Sequence, residues 1–485
     1  MSDTKGYRNS DAECGKQTLN EMTVGVTDDH YEKKTLSKRI LRVIWDSLDK
    51  TPEERKFIRK VDAWIMSYVC VAYLVKYLDQ TNVVNAYVSG MKEDLRMSGN
   101  DYNLLQTWFT VGYVLGNLPS QIIMTKIRPS IWLPTLELIW GALVMVMASA
   151  KNVKTLYALR FFIGFLEASA YPGIITLLGN WYTPEELGKR SCIFIASSSI
   201  AQMFSGYLQA GLYSGMNGKH GLAAWQWLFI FDGIISIPIA LFGYFAVPDS
   251  PVNSKARWLK PEQKAMAIAR MERCGRKPPG KLTWKVFRDI LSTWPVYLFG
   301  IIFASQLIGN RIYNYFAIYL KSTKRYTVEE VNIIPTAGFG FQVGMALIYA
   351  WLSDGFKTRP PFIALAASIS AIGCIILSIY PEHNHTAMMA GWILTYAQAG
   401  ASALMLSYLQ ELLTFSTEQR LVTIGIIETF GFAMNAWVIL LAYNSGQAPK
   451  FDVGYEIALM FFLLEAVGII VIWFCAKKWP PKPRD

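Results

Sequence analysis

Charged residues are scarce in this chain of 485 residues, at 17%, against about 25% in soluble domains. With a hydrophobic share of 52% and a mean hydropathy of +0.24, that shortage excludes an ordinary soluble globular protein. Histidine is almost missing, at 4 residues, and no pair has the helical spacing of a metal site. His383 and His385 fall two apart in a loop and read as solvated. A Walker phosphate loop and a nucleophile elbow are both lacking, so nothing marks a membrane enzyme and neither cofactor nor metal is expected. The six cysteines, Cys14, Cys70, Cys192, Cys274, Cys374 and Cys475, show neither metal nor redox spacing and read as packing residues. No cleavable signal peptide is expected, because the polar N-terminal stretch leads into a long apolar run that carries Lys76 and Asp79.

Long apolar blocks are what the sequence does have. Each approaches the ~20 residues that a helix needs to cross a bilayer. They lie at 62–80, 103–125, 129–150, 155–178, 190–212, 225–246, 294–320, 331–353, 358–380, 386–409, 421–444 and 453–476. The expectation is an all-α integral membrane protein of twelve transmembrane helices. Helices are preferred to barrel strands, which are ~10 residues of alternating character. Pro119, Pro172, Pro238, Gly338, Gly340 and Gly344 interrupt several blocks, as bilayer helices tolerate when neighbours re-satisfy the backbone. Six spans precede residue 247 and six follow 293. The implied division is a polar tail (1–61), a six-helix bundle (62–246), a central loop (247–293), a second six-helix bundle (294–476) and a short tail (477–485). Within the central loop, 261–273 reads either as a short amphipathic helix at the membrane surface or as a solvated linker.

Lys and Arg set the orientation, since positively charged loops stay cytoplasmic. Most of the 47 fall in the two tails and in alternate loops on the same side, with Arg55, Lys56, Arg59 and Lys60 set against the first span. Both termini are therefore expected in the cytoplasm. The net charge of +11 then points to contact with anionic membrane lipid and not to nucleic acid. The sequon Asn384-His385-Thr386 falls in a loop placed outside.

Function is sought in polar residues at membrane depth, where a charge costs about 2.5–3.5 kcal/mol and tends to line a cavity or a proton path. Lys76 and Asp79 are three apart on one face of the first span, as functional groups or as a neutralising pair near its outer end. Arg160 and Glu167 are two turns apart in the fourth span and can share one cavity wall. Desolvation and a neighbouring cation act oppositely on a carboxyl's proton affinity, which would let Glu167 gain and lose a proton, as coupling requires. Arg311 stands among Asn310, Tyr313, Asn314 and Tyr315 in the seventh span, as an anion site, an inter-helix lock or a loop end. Glu428 and Asn435 in the eleventh span face the cavity from the other side or bond between helices. Glu137 and Glu465 have no polar neighbours in sequence. Asp232 and Asp354 read as gate or helix-cap residues near span ends.

Three segments then bring a family into view. Tyr77–Gly90 (YLDQTNVVNAYVSG) with Met91–Leu95 (MKEDL), Leu159–Gly173 (LRFFIGFLEASAYPG) and Gly221–Gly233 (GLAAWQWLFIFDG) occur in order within 60–476. Together they resemble the anion:cation symporter branch of the major facilitator superfamily, and more narrowly the fungal allantoate permease group with its pantothenate and biotin permeases. The resemblance implies two pseudo-symmetric six-helix halves rocking about a central site, usually in a monomer at the plasma membrane. It also implies that Asp79 and Glu167 carry the coupled proton and that Arg160 accompanies Glu167. Relatives commonly have Arg after the first-span Asp, where this chain has Gln80, and Lys76 is the cation that would replace it. The gating loop after the second span is degenerate here (Thr125-Lys126-Ile127-Arg128-Pro129), whereas its second-half counterpart keeps Asp354, Gly355, Lys357 and Arg359. The implied activity is proton-coupled import of a small carboxylate nutrient, a vitamin such as pantothenate or biotin. Allantoate, nicotinate or efflux by proton antiport are the alternatives, and a channel or receptor is the rival class.

Overall fold

The computed structural model describes residues 50–274, 284–356, 358–380, 384–412, 417–443, 447–451 and 453–479. It divides into two units, Met1–Arg59 and Lys60–Asp485. Of the first, the described part contains the start of the helix Pro52–Val61. The second contains the transmembrane helices. Among the described residues every regular element is helical, the solution open to a chain that must satisfy its backbone without water. Among the described residues nine helices are long and apolar enough to cross a membrane. Three further passes expected from the sequence are also helical. The second is Asp101–Lys126, while the seventh and tenth are broken helices. The seventh runs from Trp294–Gly309 through a tight 3-10 stretch, Asn310–Tyr315, to Phe316–Ser322. The tenth joins His385–Leu394 to Ser402–Leu412 across a similar turn, Gln398–Ala401. Twelve helices in two groups of six result.

The first span differs from expectation. The sequence ends it at residue 80, where Gln80, Thr81, Asn82 and Asn85 interrupt the apolar run. The helix instead covers Ser67–Ala86 and continues through a wide turn, Tyr87–Met91. It bends there at Gly90, whose φ of +114° only glycine adopts readily. The polar residues are accommodated because each finds a buried partner. Asn82 Nδ2 donates to Asp232 Oδ2 at 2.6 Å, while Asn82 Oδ1 accepts from Ser205 Oγ at 2.6 Å. Asn85 Nδ2 donates to the same hydroxyl at 2.6 Å. Asp79 consequently lies well inside the helix, not near its end.

Small residues hold the fourth span (Val153–Glu167) against the second. A Cβ on Gly112 would stand 2.1 Å from the Phe161 carbonyl oxygen, and one on Gly164 equally close to that of Phe109. This backbone contact fixes the height of Arg160 and Glu167, which lie one turn before and one turn after Gly164 on the same face of the helix, Arg160 stacking on the Phe109 ring. Overpacking of a tight core costs about 1–3 kcal/mol, and here the obstacle is backbone. Gly164→Val is therefore expected to abolish the monodisperse peak of the detergent-solubilised protein on size exclusion, whereas substitution at Gly211, where a Cβ meets nothing within 4 Å, should leave it intact.

The stretch 261–273 is a helix, Pro261–Arg273, anchored by charge. Arg270 reaches both oxygens of Glu186 at 2.5 and 2.6 Å, with both side chains buried. Lys60 Nζ donates to Gln263 Oε1 at 2.9 Å. Beside them Arg190 grips Asp62 at 2.7 and 2.8 Å, and the Tyr182 hydroxyl donates to the same carboxylate. At the opposite end of the bundle the two halves meet directly. Asn103 bonds to the Tyr443 carbonyl and accepts from the Tyr315 hydroxyl at 2.7 Å, and the Tyr315 and Tyr443 rings stack at 4.4 Å. Lys321 pairs with Glu93 at 2.7 Å, and Asn332 Nδ2 donates to Ser89 Oγ at 3.0 Å.

Candidate functional site

Between the halves, four spans bring titratable groups to one buried region. The first contributes Lys76, Asp79 and Gln80, the fourth Arg160 and Glu167, the seventh Arg311, and the eleventh (Thr417–Ala442) Glu428 and Asn435. Glu167 is fully buried and accepts from Gln80 Nε2 at 2.9 Å through one carboxylate oxygen, while its other oxygen has no partner. Lys76 sits 5.1 Å over the Tyr113 ring and 5.9 Å over that of Tyr73, and it interacts electrostatically with both Glu167 and Glu428. One cation is thus shared by a carboxylate from each half.

Arg160 is the most unusual group present. Its side chain is 0% exposed, and none of its three guanidinium nitrogens has a hydrogen-bond partner. What it has is the Phe109 ring, 4.3 Å below the guanidinium carbon, and the fields of Glu167, Asp79 and Arg311. Buried charges are ordinarily paired. A guanidinium offers five N–H donors in a planar fork suited to a carboxylate. Arg311, by contrast, is engaged: with the Asn435 amide oxygen turned toward it, Nη2 and Nε donate to that oxygen at 3.2 and 3.3 Å. Of the alternatives the sequence left open, this contact matches the inter-helix lock for Arg311 and the bond between helices for Asn435.

Other expectations fare differently. Lys76 and Asp79 share a face but form no pair. The Asp79 carboxyl instead lies within hydrogen-bonding reach of Asp232, and neither of its oxygens accepts from a donor. Asp232 is no cap: it is 0% exposed in the middle of Ala224–Ala246. Glu137 and Glu465 do have polar company, which lies on other helices and so is invisible along the chain. Tyr68 donates to Glu137 at 2.6 Å, Gln398 donates to Glu465, and Gln306 stands beside Glu465. Tyr315 belongs to the contact between the halves, its hydroxyl committed to Asn103, while Asn314 is half-buried on the same 3-10 turn as Arg311. Of the expected gate, Arg359 pairs with Glu411 at 2.6 Å inside the second half. The side chains of Asp354, Thr125 and Lys126, and Lys357 as a whole, lie outside the described residues. Sequence reasoning missed Tyr77, which lies in the fields of Arg311, Glu167 and Glu428. A tyrosine one residue after Lys76 in an otherwise apolar run was the available signal.

Residues 69–439 match the family model of the Major Facilitator Superfamily. An MFS transporter of Pestalotiopsis fici is 38% identical over 86% of this chain and 80% of its own length. A pantothenate transporter of Schizosaccharomyces pombe is 31% identical over 87% of this chain and 81% of its own. The vitamin H transporter of Saccharomyces cerevisiae is 30% identical, covering 88% and 74%. Among solved structures, the D-xylose-proton symporter superposes with a TM-score of 0.64 at 14% identity, over 84% of this chain and 96% of that one, which speaks to the fold alone.

Proposed function

The chain belongs to the Major Facilitator Superfamily, as a multi-pass membrane transporter of a small molecule and not an enzyme, and we propose that it imports a small carboxylate nutrient by proton symport. The observation that carries this reading is the buried, unpartnered guanidinium of Arg160 facing Glu167. In this scheme Glu167 and Asp79 are the proton carriers. With Glu167 ionised, its charge occupies Lys76 and its oxygen holds the Gln80 amide. Protonation removes that charge. Lys76 and Arg160 are then both available to a substrate carboxylate, and Gln80 is released to donate to it. Arg311 with Asn435, Asn314 and Glu428 form the wall from the second half, while Tyr315 closes the contact between the halves through Asn103. Asp354 and Arg359 belong to the gate at the other end. Joint occupancy by proton and substrate leaves the site less charged than either alone, which lowers the cost of closing it in a low dielectric.

A vitamin such as pantothenate or biotin is the substrate we favour, on the similarity to the pantothenate and vitamin H transporters. We place the protein at the plasma membrane as a monomer with both termini cytoplasmic, in the five segments that the sequence marks out, from the tail 1–61 to the tail 477–485.

Uptake of radiolabelled pantothenate, biotin, allantoate and nicotinate in yeast expressing the chain tests this, at mildly acidic and neutral external pH and with a protonophore. One of the four should accumulate, faster at the acidic pH and not at all with the protonophore. Accumulation of none would remove the nutrient assignment, and accumulation that ignores the protonophore would remove the coupling.

A further inference from the structure

Asp79 and Asp232 face one another from the first and sixth spans, at 1% and 0% exposure, with their carboxyls within hydrogen-bonding reach. Among the described residues, the amide that donates to this pair is that of Asn82, to Asp232 Oδ2 at 2.6 Å. Both Asp79 oxygens and Asp232 Oδ1 lack a donor. Two buried carboxylates facing one another repel strongly when both are ionised, and a proton held between them relieves that repulsion, as in the paired carboxyls of aspartic proteases. The groups that bear on the pair are Glu167 and Arg160 from the fourth span. The fifth span supplies Ser205, which links Asn82 to Asn85 and is neutral.

We propose that Asp232 shares the transported proton with Asp79, so that the proton site on the first span is a two-carboxyl site built with the sixth. This rests on the reading of the protein as a proton symporter and adds a residue to it. The geometry explains why the first span stays helical past residue 80. Asn82 fixes one oxygen of Asp232 and leaves the other for the shared proton, and the Ser205–Asn85 chain behind it holds Asn82 in the donating orientation. When a second proton arrives, both carboxyls become neutral. When it leaves again, the single charge that remains on the pair is met by Arg160, the cation that couples to Asp79. The pair thereby ties the protonation of the first and sixth spans to the occupancy of the Arg160 site.

The test is the external pH profile of initial uptake of whichever probe vitamin the wild type accumulates, measured for D79N, D232N and D79N/D232N. Each single variant should lower the ratio of uptake at acidic to neutral pH by about tenfold, and the double variant should be no flatter than the singles, because the two act as one unit. The exchange N82D/D232N, which moves the carboxyl across its own hydrogen bond, should restore part of the profile and serves if D232N does not reach the membrane. A wild-type profile in D232N overturns the proposal, as does an N82D/D232N variant that transports without any pH dependence. If the wild type itself shows no protonophore-sensitive accumulation, it is the symport reading that fails.

Discussion

Replacing Arg160 with methionine is expected to raise the thermal stability of the empty carrier while cutting uptake about a hundredfold. The two effects have one cause. A charge at membrane depth costs about 2.5–3.5 kcal/mol, and this one is 0% exposed with no hydrogen bond on any guanidinium nitrogen. Its compensation is the Phe109 ring at 4.3 Å, worth about 0.5–2 kcal/mol, and the fields of Glu167 and Asp79. Methionine fills similar volume, keeps the contact with Phe109 and has no polar group to bury. In the proposed site a substrate carboxylate paired with Arg160 would recover what the empty site forgoes, since truncating one member of a buried charged pair typically costs about 2–5 kcal/mol. Thermal-shift measurements should accordingly show a higher transition for R160M than for wild type without substrate, and a substrate-induced rise in the wild type alone. A lower transition in R160M would mean that the guanidinium is structural, in which case the anion site must be sought at Lys76.

Glu167→Gln should reduce the accumulation ratio to about one, the equilibrium value for a carrier that has lost its driving ion. The substitution keeps the shape of the side chain. The new amide oxygen can still accept from the Gln80 amide that donates to Glu167 at 2.9 Å, so the local structure survives. What is lost is the ability to alternate between a charged and a neutral state. The sign of the pH effect follows directly. Under the proposed symport the proton is a co-substrate, so wild-type uptake is expected to rise as external pH falls and to fade as it rises. E167Q is permanently in the neutral form, so the pH dependence due to Glu167 should vanish and only that of the Asp79–Asp232 pair remain, while exchange of labelled for unlabelled substrate should persist at a reduced rate. Uphill accumulation in E167Q as strong as in the wild type would exclude Glu167 as a proton carrier.

Comparison of these groups shows how the chain divides its information. Arg160 and Glu167 were legible because seven residues on one helix are two turns, and helical periodicity alone puts them on one wall. Lys76 and Asp79 were placed on one face correctly, yet that face proved wide enough for them to address different partners, Glu167 and Glu428 for the lysine and Asp232 for the aspartate. The end of the first span was misjudged because hydropathy counts Asn82 and Asn85 as breaks. The serine and aspartate that satisfy them come from residues 205 and 232, more than a hundred positions away.

What the sequence determined by itself is the solvent and the secondary structure. Runs of apolar residues as long as a bilayer is thick admit one regular conformation, and the interruption after residue 246 separates them into two sets. The partners of the buried charges were decided by tertiary structure alone. Arg311 with Asn435, Asp79 with Asp232, Glu137 with Tyr68 and Glu465 with Gln398 are all contacts between helices. Each depends on helix rotation and on close approaches such as Gly112 against Phe161, and no periodicity along a single segment encodes which residue of another helix it will meet.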